Sequence, residues 1–192
     1  MCTNILQSSL INFIAQFYTS KKVTLMWNKI KKHFEKYPAQ LKVAKLIFER
    51  GFQVREDGKI TSGNIEIPHT QIAKEAGVER RAVDSTVKTI LSNPELKRIY
   101  RSLKHVYLLQ EVAREFNLSV IIFIPENAHE KGIIAEVTRV ISEKGLSIKQ
   151  AFAEDPDLSP EPKLILIIDG EIPPETIKEL RNLPGARSVT VY

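Results

Sequence analysis

The sequence predicts an α+β protein in two parts: an amino-terminal winged helix-turn-helix domain and a carboxy-terminal ferredoxin-like βαββαβ domain. Three observations predict it. Residues 119–192 alternate strand-like and helix-like apolar patterns. Residues 68–91 carry two helical patterns broken by Gly77-Val78, and Asp57-Gly58 just upstream is a short-range hairpin signal.

Residues 1–25 are poorly patterned. Ile5–Tyr18 is apolar but interrupted by Gln7, Ser8, Ser9, Asn12 and Gln16, and it is short of the roughly 20 residues a spanning helix needs. No basic residue precedes it, which argues against a secretory signal. Two readings stand: a translation-start artefact with Met26 as the natural beginning, or a weak amphipathic surface helix.

Residues 26–94 form the first predicted domain. Trp27–Tyr37 reads as a short basic helix with Ile30 and Phe34 inward, stopped by Pro38. Ala39–Arg50 is a second helix with Leu41, Ala44, Ile47 and Phe48 on one side and Gly51 at its end. Phe52–Ile67 holds two short strand-like runs separated by Asp57-Gly58, the second, Ile65-Glu66-Ile67, ending at Pro68. Thr70–Ala76 is a two-turn helix that Thr70 is placed to cap, with Ile72, Ala73 and Ala76 inward. Glu79–Leu91 is longer, with Ala82, Val83, Val87, Ile90 and Leu91 toward its partner. This is the arrangement in which a second helix enters the DNA major groove. The opposite face shows Arg80, Arg81, Asp84, Ser85 and Lys88, of which 81, 84, 85 and 88 are helical neighbours. Arginine reads guanine bidentately, while lysine and serine suit phosphates. His69, just before the first of the two helices, is expected on the DNA-facing edge, in reach of a phosphate or simply exposed. A small bundle touching no nucleic acid is the competing reading of the same pattern.

Charge alone fits a solvated basic surface with no partner equally well, and it is the basic balance together with the Arg80-Arg81 pair at the helix start that tips toward the first reading. Residues 1–117 hold 20 Lys and Arg against 11 Asp and Glu, net +9, whereas 118–192 hold 8 against 12, net −4. A basic half joined to an acidic one fits a polyanionic partner, which makes DNA the expected partner.

Asn93-Pro94 ends the second helix. Over residues 95–118, Leu96, Ile99, Leu103, Val106, Leu109, Ala113 and Phe116 recur at steps of three or four, the spacing of a connecting helix. His105–Leu109 also fits a strand.

The second domain, 119–192, begins with Val120–Ile124, a β-branched buried strand ended by Pro125. Ile133, Ile134, Val137, Val140 and Ile141 mark a helix that Gly145 stops. Leu146–Ala153 alternates as a strand, Asp155–Pro162 turns, and Leu164–Ile168 is a third strand. Pro173-Pro174 open a helix with Ile177, Leu180 and Leu183 inward, and Ser188–Tyr192 closes the order βαββαβ.

Within that order, Glu130-Lys131-Gly132-Ile133-Ile134-Ala135-Glu136-Val137, then Ile141 and Gly145-Leu146-Ser147-Ile148, resemble an ACT domain, the module that binds amino acids in metabolic enzymes and regulators. Leu180–Val189 is similar to the end of the same domain. With the amino-terminal half, the chain from about Met26 onward resembles predicted regulators of amino-acid metabolism that contain an ACT domain. The resemblance implies an amino-acid effector, a homodimer through the ACT domain and allosteric control. It implies Gly132 and Ile133 at the carboxylate, with His129, Ser147 and, more weakly, Gln150 as polar contacts. Lys131 stands where the family commonly has proline, and the loop from Glu126 is longer. The other class the resemblance allows is a regulatory subunit of a biosynthetic enzyme, its amino-terminal half a protein-interaction module.

No enzyme, metal site or cofactor is expected. His33, His69, His105 and His129 are isolated in sequence, and no glycine-rich phosphate loop, nucleophile elbow or Cys/His pair is present. A single cysteine, Cys2, excludes an intramolecular disulfide and fits the cytoplasm. No membrane association is expected.

Overall fold

The computed structural model describes residues 26–192, so the expectations for residues 1–25 lie outside the described residues. The chain divides into two compact units, residues 1–105 and 106–192.

In the first unit, α1 (Met26–Lys31) gives way to tight turns, where the His33 N–H donates to the Ile30 carbonyl and Phe34 N–H to that of Lys31. Trp27, Ile30 and Phe34 are buried as their spacing predicts. Pro38 does not merely stop this stretch. It is the first residue of α2 (Pro38–Glu49), a position where the missing N–H costs nothing.

Three short strands follow, β1 (Gln53–Val54), β2 (Ile60–Ser62) and β3 (Ile65–Ile67), in sheet order β1-β2-β3, all antiparallel. The expected second run, Ile65–Ile67, is β3, and the strand that the sequence reading lacks is β2, onto which Gly63-Asn64 folds it so that Ser62 pairs with Ile65. The Asp57-Gly58 hairpin forms, with Gly58 at φ 84° and Asp57 Oδ1 accepting from the Lys59 N–H at 3.1 Å.

Helices α3 (His69–Ala76) and α4 (Arg80–Ser92) are joined through Gly77, whose φ of 63° ends α3 in the left-handed conformation. Thr70 does not cap α3: the helix starts at His69 behind Pro68 and makes no side-chain cap bond. Ile72 and Ala73 of α3 and Val83, Thr86, Val87 and Ile90 of α4 are buried, while Ala82 and Leu91 are only partly so. Asn93 caps α5 (Pro94–Ser102), accepting from the Glu95 and Leu96 N–H groups at 2.9 and 3.1 Å.

The expected connecting helix over 95–118 forms only as far as Ser102, and a 3-10 helix takes up residues 110–116. After Ser102 the chain runs extended, held by tertiary bonds that a helix would forbid: Gln53 Nε2 donates to the Leu103 carbonyl at 2.8 Å, and the His105 ring meets the Arg50 carbonyl at 3.2 Å. The domain boundary therefore falls at His105/Val106 rather than at the ends of a helix.

In the second unit a 3-10 helix (Gln110–Phe116) ends at Asn117, in the left-handed conformation at φ 54°. Then come β4 (Leu118–Pro125), α6 (Ile133–Glu143), β5 (Ile148–Ala153), β6 (Leu164–Asp169), α7 (Pro174–Arg181) and β7 (Ala186–Val191). The sheet order β5-β6-β4-β7, antiparallel throughout, is the ferredoxin-like topology that the element order predicts.

Alternation sorts the central strands into two cores. Ile121, Phe123, Leu164, Leu166 and Ile168 face the helices with Val137, Val140, Ile141 and Leu180. Val120, Ile122, Ile165 and Ile167 face the other way, where Ala113 of the 3-10 helix and Leu109 cover them. That second cover explains why β4 and β6 are apolar at nearly every position. No helix among the described residues is long and apolar enough to cross a membrane.

Candidate nucleic-acid interface and effector cavity

Helix α4 buries one stripe and turns the opposite one to solvent. Arg81, Ser85 and Lys88 are exposed on that outer stripe, and the Arg81 side chain is 84% accessible. Arg81 Nε pairs with Glu79 at 2.7 Å, an exposed contact that a phosphate or base would readily displace. Lys88 has no ion-pair partner among the described residues. Thr86 and Thr89 on the flank turn back into the helix, their hydroxyls donating to the Ala82 and Ser85 carbonyls.

Two residues of the expected DNA face are engaged within the protein instead. His69 Nδ1 lies 2.6 Å from Asp84 Oδ1 and its Nε2 lies 3.1 Å from the Gly58 carbonyl oxygen. Both ring nitrogens are therefore spoken for, and the side chain is only 20% exposed. Asp84 is further drawn toward Arg80, whose Nε sits 3.8 Å from Oδ2. Asp84 thus makes contacts within the protein while remaining 42% accessible, and Arg80, 67% exposed, starts the helix beside it.

Nearby cations are partly neutralised. Lys59 in the β1–β2 turn meets Glu66 at 2.6 Å, and that carboxylate raises the ammonium pKa above its ordinary value. Lys97 and Arg101 share Glu56 at 3.3 and 3.0 Å.

The second unit holds a cavity of about 480 Å³ where β4 ends and α6 begins. Pro125, Ala128, Glu130, Gly132, Ile133, Ile134 and Ala135 line one side, and Ala153, Glu154, Pro162, Lys163 and Leu164 the other. Gly132 precedes α6 at φ 96°, in the region that favours glycine, and no side chain caps the helix. Lys163, Glu130 and Glu154 are the charged residues of an otherwise mostly apolar lining, and Glu154 Oε2 accepts from the Ser159 hydroxyl at 3.0 Å. Ile134, expected inward, is 52% exposed at the cavity side of the helix.

The site residues named by the ACT resemblance do not gather in one chain. Gly132 and Ile133 line the cavity. His129 is exposed outside it, with its backbone N–H bonded to Asn127 Oδ1. Ser147 precedes β5 at the far end of the sheet, beside Asp169, whereas the cavity lies at the Ala153 and Leu164 end. Gln150 is occupied, its side chain accepting from the Leu109 N–H at 2.9 Å and donating to the Tyr107 carbonyl at 2.7 Å. Sequence reasoning missed Glu154, Pro162 and Lys163. They reach the cavity because β5 pairs with β6 in the register Ala153 to Leu164, which no local pattern specifies.

Among the described residues, no three His, Cys, Asp or Glu side chains gather as a metal site would require. No family model and no curated protein matches the chain. Among solved structures it is similar to an AsnC family transcriptional regulator from Agrobacterium tumefaciens, with 13% identity, a TM-score of 0.27, and coverage of 81% of this chain and 87% of that one. It is also similar to a transcriptional regulatory protein of the AsnC family from Pyrococcus furiosus, with 13% identity, a TM-score of 0.23, and coverage of 66% and 77%. Likenesses this distant carry no functional weight.

Proposed function

We propose that the chain is a DNA-binding transcriptional regulator that responds to an amino acid. The observation that carries the reading is the outer stripe of α4. Arg81, Ser85 and Lys88 stand open to solvent on the second helix of a helix-turn-helix whose opposite side buries Val83, Val87 and Ile90. In that position a helix can lie in the major groove, with Arg81 at a base edge and Lys88 at a phosphate. A homodimer would present two such helices to half-sites about 34 Å apart or a multiple of it.

The cavity supports the effector half. An α-carboxylate suits the uncapped start of α6 and the Lys163 ammonium, an α-ammonium suits Glu130 and Glu154, and the remaining space suits an apolar side chain. An effector shifts DNA binding only by preferring one dimer geometry over another.

The test is fluorescence anisotropy with a labelled duplex across ionic strength. Affinity should fall steeply with salt, and replacing both Arg81 and Lys88 by Ala should weaken binding and flatten the salt slope by about one unit per lost phosphate contact. Binding indifferent to salt and to both changes would sink the DNA reading. Separately, a thermal-shift screen of the amino acids should raise the melting temperature for at least one apolar member, and no shift for any removes the effector half.

A further inference from the structure

We propose that His69 is a positioning residue that clips the β1–β2 turn to helix α4, so that hairpin and helix meet a duplex as one rigid piece. This rests on the DNA-binding reading and departs from the expectation that His69 and Asp84 touch DNA themselves.

Three segments converge on one imidazole. His69 opens α3 directly after β3, its Nδ1 reaches Asp84 fifteen residues on, and its Nε2 reaches the Gly58 carbonyl eleven residues back. A carboxylate and a carbonyl oxygen can only accept, so each contact is a hydrogen bond when the ring nitrogen facing it carries its proton. With an ionised acceptor at 2.6 Å the first of these bonds is the strong kind. Gly58 lies close enough to α4 that an added Cβ would stand 3.9 Å from Val87 Cγ1, so the turn packs on the helix at the clip. Beside it is a cavity of about 290 Å³ whose lining includes Asp57 and Lys59 of the turn together with Thr70 and Arg80. The clip thereby fixes how far Lys59 stands from the first turn of α4, and through Asp84 Oδ2 it also restrains Arg80.

A clip and a pair of direct contacts differ in two measurable ways. A cationic histidine bound to a phosphate adds about 0.9 to the salt slope, whereas a clip adds nothing. Direct contacts made by separate residues lose affinity independently, whereas two halves of one clip do not.

The experiment titrates the full-length chain onto a fluorescein-labelled duplex of about 25 base pairs, from about 50 to 200 mM salt, with four proteins: wild type, His69→Ala, Asp84→Asn and the double variant. Each single change is expected to weaken binding about tenfold, the double variant to bind no worse than the weaker single one, and the slopes to match wild type. Additive losses of about a hundredfold, or a slope reduced by about one in His69→Ala, would show direct contacts and overturn the proposal. Unchanged affinity in both single variants would overturn it too. Asp84→Asn is isosteric, so it keeps the test informative where His69→Ala folds poorly. If wild type fails to bind at any salt, the DNA-binding reading falls. The clip is then judged by amide exchange at Gly58 and Lys59, which should quicken in both single variants, and unchanged exchange overturns it independently of DNA.

Discussion

Substituting Gly51 by Ala tests how firmly the first unit holds its own exit strand. Gly51 follows α2 at φ 63°, with its N–H bonded to the Phe48 carbonyl at 3.1 Å, a conformation that costs an L-residue roughly 1 kcal/mol. A Cβ built there would stand 2.5 Å from the Lys104 carbonyl oxygen, 2.7 Å from its carbon and 2.8 Å from the His105 nitrogen. All three are backbone atoms, so no side chain can swing aside and residues 103–105 must retreat. Retreat strains or breaks two hydrogen bonds, Gln53 to the Leu103 carbonyl and His105 to the Arg50 carbonyl, each worth about 1 kcal/mol. The total is roughly 3 kcal/mol. Gly63→Ala is the control: φ is 60° there and nothing lies within 4 Å, so the backbone cost of roughly 1 kcal/mol stands alone. Urea unfolding followed through Trp27, the chain's single tryptophan, which packs on Phe48 at 5.8 Å, reports on this unit in particular. Equal losses for the two variants would refute the argument, since the clash would then contribute nothing.

Gln150→Ala removes both bonds that tie residues 107–109 to β5, at a cost of about 1–2 kcal/mol, and the Leu109 amide should exchange faster. Undiminished Leu109 protection would show that the segment is held by packing alone. Burial raises the pKa of Tyr100, which is fully enclosed and donates to the Ala44 carbonyl at 3.0 Å. The raised value means that its contribution is complete below the unfolded value of about 10 and is lost as pH climbs above it. Urea midpoints between about pH 8 and 11 should therefore fall less steeply in Tyr100→Phe than in wild type, and parallel profiles would contradict the assignment.

Burial of the central strands was readable from residue type, but what covers their second face was not. Val120–Ile124 and Leu164–Ile168 are too uniformly apolar for strands with one wet face, and both turn out to be covered on each side. The 3.6-residue period of Val83, Val87 and Ile90 likewise fixed which side of α4 faces outward. Residues 95–118 misled because apolar spacing of three or four also suits a chain that is partly helix, partly extended and partly 3-10 helix. What decides among these is bonding to Arg50, Gln53 and Gln150, all more than forty positions away. The contacts of His69 went unread for the same reason: its partners at 58 and 84 are brought near by the hairpin and the helix-turn, not by local pattern.

The 3-10 helix lying across β4 and β6 restricts how two copies of this chain can join. A four-stranded sheet ordinarily offers one broad wall for stacking against its twin, but here the middle of that wall is taken by the chain's own Leu109 and Ala113. Among the described residues of this unit, what stays open is narrow: the margin of β7, the β5 margin beyond Gln150, or the outward Val112 and Phe116. Main-chain pairing along a margin would join two sheets into one continuous eight-stranded surface with all four helices on the same side.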